Sequence, residues 1–237
     1  MKSIASNLLL FFLCFTSVFA QTHELPSLEK EWTANDIKIL STYLKKIPED
    51  SYPTVQHENA LFQKIIAVNY KRTMRDKAID IDVKMPYIFE YQQALKEILM
   101  QYLTAHKNGN AYGMELSHIS GIMLAISAEI IPVLKEFMKT LDPNDKNYQV
   151  RMNGLKQMKF GLKQQLQGTL IMIKDTKTSS NEERIVSATY LLNSGVEPLQ
   201  FLDASDQEQI KTEIETYIPK APNKTLKKLL HAFLKKL

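Results

Sequence analysis

The sequence is short of the residues that make irregular or cross-linked structure. It has one cysteine and seven glycines in 237 residues, and runs of β-branched residues are few. The single cysteine, Cys14, lies in the N-terminal apolar segment. The rest of the chain therefore has no thiol, no disulfide and no cysteine-based zinc site. No glycine-rich phosphate loop is present: Gly109-Asn110-Ala111-Tyr112-Gly113 is too short and follows no strand pattern. There is no G-x-S-x-G nucleophile turn. His57-Glu58 lacks the second histidine of an H-E-x-x-H zinc helix. An excess of one charge is also missing. A formal net charge of +4 is near neutral for this length and gives no electrostatic footprint for nucleic acid. The most apolar internal stretch, Ile119 to Leu134, contains Glu129 and Pro132 and reads as too short for a membrane span.

What is there begins with a three-part N terminus. Lys2 supplies a positive charge, Leu8 to Phe15 is an unbroken apolar run, and Val18-Phe19-Ala20 offers a small-residue cleavage site. That order is expected of a secretory signal over residues 1–20, cut before Gln21. The alternative is a retained membrane anchor, although the run is shorter than the roughly 20 apolar residues that span a bilayer. Cleavage of 20 residues from 237 leaves 217 and takes the charge from +4 to +3, because Lys2 is lost. A secreted or periplasmic protein with one core is the expectation. With Cys14 gone, its stability must come from packing.

Apolar residues recur at helical spacing along most of the chain, so the expected class is all-α. After an extended leader, 21–31, a single helical domain over 32–237 is anticipated. Its main part is an antiparallel bundle of five helices over 32–175, followed by three shorter C-terminal helices over 180–237. Thr33 and Asp36 form a capping box for the first helix, with Trp32 stapling onto Ile37. A second helix follows Pro53. Ile79 to Val83 reads as a short extended link, and Pro86 suits the first turn of a third helix. The fourth, near Ala111 to Leu141, repeats Leu116, Ile119, Met123, Ile126, Ile130 and Leu134 at three and four. Asp142-Pro143-Asn144-Asp145 turns the chain into the fifth, so these two should pack antiparallel.

Gly154, Gly161 and Gly168 lie seven apart on one stripe of that fifth helix. Each costs roughly 1 kcal/mol relative to alanine, so three in register need a reason. Close backbone approach is the expectation, with Gly168 near Gly121 and Gly161 near Ala125 and Ala128. The alternative is a groove that a ligand or another helix fills.

Two groups of residues could carry function. Glu115 and His118 stand at i and i+3 on the fourth helix, the spacing of ligands in di-iron bundles. No second Glu-x-x-His exists, and Glu129 lies about 16 Å further along the axis, out of first-shell reach. Glu58 could join only through the tertiary fold. Glu129 itself has apolar neighbours and reads as an ion-paired core acid or a pocket-wall acid. The second group is the C-terminal helix, whose apolar arc faces away from Lys224, Lys227, Lys228, Lys235 and Lys236. From Lys220 onward there are six lysines and no acids, which suits an anionic membrane surface or an acidic partner. The competing use of that arc is to cap the bundle. The functional expectation is a non-enzymatic helical protein that binds a protein or small ligand, with no cofactor implied and no nucleic acid. The metal-binding bundle and the membrane-associating helix are the alternatives.

Overall fold

The computed structural model describes residues 25–55, 60–66, 81–109 and 111–237. The predicted signal sequence over 1–20, and Glu58 with His57, lie outside the described residues. Among the described residues there are nine α-helices and no strand. The first three are α1 (Ala34–Leu44), α2 (Ala60–Ile66) and α3 (Ile81–Lys107). Next come α4 (Gly113–Lys139), α5 (Tyr148–Lys174) and α6 (Asn181–Ser194). The chain ends with α7 (Val196–Phe201), α8 (Ala204–Tyr217) and α9 (Lys224–Leu234).

Local chemistry sets several boundaries. At α1 the Asp36 amide donates to Thr33 Oγ1 at 3.4 Å, and the Thr33 amide donates to Asp36 Oδ2 at 2.8 Å. Lys30 reaches the other Asp36 oxygen at 2.7 Å. The α3 helix starts earlier than the sequence suggested. Residues Ile81 to Val83 are helical rather than extended, and Pro86 lies inside the helix. A proline there removes one intrahelical donor, the one that would reach the Asp82 carbonyl. Gly109, at φ 104°, ends the segment in the left-handed region that glycine tolerates. Between α4 and α5, Asp142 Oδ1 accepts from the Asn144 amide at 2.8 Å and Asp145 Oδ1 from the Asn147 amide at 2.9 Å. These side chains hold the turn that reverses the chain.

The centre of the molecule is α4. By length and composition this helix is long and apolar enough to cross a membrane, which corrects the reading of its central stretch as too short. Its residues instead enter the protein core on more than one side: Leu116, Ile119, Ile122, Leu124, Ile126, Ile130, Ile131 and Leu134 are all buried. Helices α3, α5 and α6 surround it. The most extensive packing is with α6, so the C-terminal helices share the main core. Gly121 permits that contact. A Cβ on Gly121 would sit 2.1 Å from the Tyr190 ring of α6, closer than any side chain allows.

The remaining helices close the other side of α5 and α6. Lys159 pairs with Asp203 at 2.5 Å and Lys163 with Asp206 at 2.7 Å. Lys174 pairs with Glu213. These pairs tie α5 to α8 and the residue that caps it. In α9 the side chains of Leu226, Leu230 and Phe233 are buried, and the helix lies on α6.

Candidate functional site

The α4–α5 pair is antiparallel, as the short turn requires, with Ser127 opposite Gln165. The glycine stripe does not do what was expected of it. A Cβ added at Gly154, Gly161 or Gly168 would meet nothing within 4 Å. These three glycines are therefore not sites of close helix packing. The reason is geometric. The tight partner of α4 is α6, where Gly121 meets Tyr190 rather than Gly168. The stripe on α5 is left to look outward and over α4 toward α3.

That arrangement leaves a groove. Its floor is α4 and its walls are α3 and α5. It consists of two hollows of about 360 and 350 Å³ that meet at Met123 and Gln165. One hollow is lined by Ile130, Ile131, Leu134, Met158 and Leu162, with Gly161 in its wall. The other is lined by Leu99, Leu103, Leu116 and Met172, with Gly168 in its wall. Phe89 and Ile171 stand exposed at the rims. The exposed lining is mostly apolar, and the polar side chains along it are mostly uncharged amides and hydroxyls. Gln92 Nε2 donates to Ser127 Oγ at 3.1 Å, and Ser127 Oγ lies 2.7 Å from Gln165 Oε1. This chain joins α3, α4 and α5 across the meeting point of the hollows. His106, Thr178, Ser179 and Asp175 line the far end, and Lys96 the near one.

Glu115 and His118 are turned to separate protein partners. Glu115 is buried, and its Oε1 accepts from the Val55 amide at 2.7 Å. It therefore fixes the segment before α2. His118 Nδ1 lies 3.2 Å from the Tyr190 hydroxyl, with Phe62 edge-on at 6.5 Å between ring centres. Burial pushes the His118 pKa below its ordinary value, so the neutral ring is favoured and can accept the Tyr190 proton. Among the described residues no group of three or more histidine, cysteine, aspartate or glutamate side chains could hold a metal. Glu115 and His118 meet partners from two different elements, the segment before α2 and α6, and no third ligand stands with them among the described residues. Glu129 is half-buried rather than enclosed, is not without a partner, and lines neither hollow.

The C-terminal lysines also differ from one reading. A helix lying on a membrane needs its apolar face free, and the face of α9 is occupied by the core. Lys227 donates to the Pro219 carbonyl at 3.0 Å and Lys236 to the Leu192 carbonyl at 3.2 Å. Lys224, Lys228 and Lys235 are exposed.

One cluster escaped the sequence reading. Tyr52, Tyr102 and Tyr112 pack within 6 Å of one another by ring centres, with Phe62 beside Tyr102. Tyr102 donates to the Pro53 carbonyl at 2.7 Å and Tyr112 to the Glu49 carbonyl at 2.5 Å. Burial raises the Tyr102 pKa strongly, with the Glu115 carboxylate adding to the effect. The cluster anchors the loop after α1 onto α3 and α4. Its members are far apart in sequence, and no local pattern announces them. No protein-family model, curated protein or solved structure matches this chain.

Proposed function

We propose that the chain is an exported helical binding protein whose ligand seat is the groove over α4, between α3 and α5. The groove carries this reading. Each hollow falls within the roughly 300–1,000 Å³ range of small-molecule sites, which are mostly apolar with a few placed polar groups. The lining fits an elongated, largely apolar molecule, with the Gln92–Ser127–Gln165 chain offering hydrogen bonds near its middle. The reading assigns binding and no catalysis. The charge, apolar run and cleavage pattern of Met1 to Ala20 support export.

The test uses the mature chain and the apolar dye 1-anilinonaphthalene-8-sulfonate. Dye fluorescence should rise and saturate on binding. Met158→Trp fills one hollow and Ser120→Phe the other, each from a half-buried position. Each substitution should weaken dye binding by about tenfold or more, with helical circular dichroism unchanged. Undiminished binding in both folded variants would remove the groove as the seat.

A further inference from the structure

The outer face of α5 is unlike the rest of the surface. At 100° per residue, positions 150, 153, 154, 157, 160, 161, 164, 168, 171 and 172 fall within an arc of about 120°. None is charged, in a chain that is 24% charged. Three large apolar side chains stand open there: Val150 at 71%, Phe160 at 57% and Ile171 at 63% exposure. The lysines of α5 that could have solvated this face point elsewhere. Lys159, Lys163 and Lys174 are spent on Asp203, Asp206 and Glu213. The face is uncharged, with three open apolar side chains spaced along it by asparagine, glutamine and glycine, a surface that a partner helix can cover without burying a charge.

Its order along the helix names the occupant. Take a point midway between Phe160 and Gly161. Val150 and Ile171 are equally far from it on opposite sides, as are Gln157 and Gln164. Phe160 and Gly161 flank it directly. Lys146, just before the helix, and Asp175, just after it, are also equidistant. We propose that α5 is the interface of a two-fold symmetric dimer, packing antiparallel on α5 of a second copy. In that arrangement Val150 meets Ile171 of the second copy, and the reciprocal pair forms by symmetry. Gln157 faces Gln164 amide to amide. The two Phe160 rings come together on one side of the axis, and the open glycines let the helices approach closely. Lys146 at each end stands near Asp175 of the second copy, opposite in charge. A two-fold axis sets each side chain against the same surface of its twin, so a charged stripe would repel itself; an uncharged one with opposite ends does not. The seam uses Gln157, Gly161, Gln164, Gly168, Ile171 and Met172, which also line the hollows, so pairing covers that wall of the groove; sedimentation reads the pairing and dye fluorescence reads the groove, each without the other.

Sedimentation velocity of the mature chain over a concentration series reads the result. The wild type should show a reversible monomer–dimer equilibrium. Val150→Glu and Ile171→Lys, each made at an exposed side chain, should each raise the dimer dissociation constant by about tenfold or more. Combined in one chain they should restore dimerisation, because each introduced carboxylate then meets the introduced ammonium group of the second copy. A wild type that stays monomeric throughout would overturn the proposal. So would single variants that dimerise as well as wild type, or a double variant no better than the worse single.

Discussion

Glycine shows at the residue scale how little a helix position reveals about its surroundings. Gly121 and Gly168 sit in adjacent helices, and the sequence spacing made them look like partners. The space over them differs completely. The Tyr190 ring occupies the Cβ position at Gly121, whereas nothing lies within 4 Å of that position at Gly154 or Gly168. Gly121→Ala should therefore overpack the α4–α6 contact and destabilise the protein by roughly 1–3 kcal/mol. Gly154→Ala and Gly168→Ala should each stabilise the monomer, by up to about 1 kcal/mol, through helix propensity. Urea unfolding at a protein concentration low enough to keep the chain monomeric separates the two cases, and a loss of stability there at Gly154 or Gly168 would contradict the open stripe. The same limit applies to Glu115 and His118. Their shared helical face was legible from spacing. Their partners were not, because Val55 is 60 residues away and Tyr190 is 72. Spacing places side chains on a face, and only the tertiary fold decides what that face meets.

Elements whose signals are local were readable, and those that depend on distant packing were read less well. The Thr33–Asp36 box forms as expected, because cap and partner are three residues apart, and Ser180 with Glu183 caps α6 in the same way. The start of α3 was misplaced. Pro86 favours a first turn, but the helix runs through it from Ile81. The α9 helix shows both sides of this. Its amphipathic pattern was clear in the sequence, yet pattern alone cannot distinguish a lipid surface from a protein surface. The structure places Leu226, Leu230 and Phe233 against the core, with Phe233 fully buried and close to Gly195. Phe233→Ala should accordingly cost about 3–5 kcal/mol in thermal or denaturant unfolding. Glutamate in place of Lys224, Lys228 or Lys235, all exposed, should change stability by about 0.5 kcal/mol or less. A Phe233→Ala protein as stable as wild type would mean that α9 is not docked as described.

At the scale of the whole molecule the sequence suggested a main bundle with a C-terminal extension, and the core crosses that division. The two halves share one hydrophobic cluster, running from Trp32 through α4 to Phe233. The boundary near residue 175 looked natural because a loop with Thr178, Ser179 and Ser180 lies there, and loops are what composition exposes. Composition says nothing about which helix later returns to cover α4. That helix is α6. Without it, α4 would lose its most extensive packing partner, and the Gly121 notch would lose Tyr190. The α5–α8 ion pairs would go as well. The chain should therefore unfold in one cooperative transition, with calorimetric and van't Hoff enthalpies equal. Fragments 25–175 and 180–237, made separately, should each lack a cooperative melt, because neither can bury its share of the common cluster. Mixed together, they should recover helical signal and a single transition. A 25–175 fragment that melts cooperatively alone would show that the bundle and its C-terminal helices are two folding units, and that α6 covers a core already complete without it.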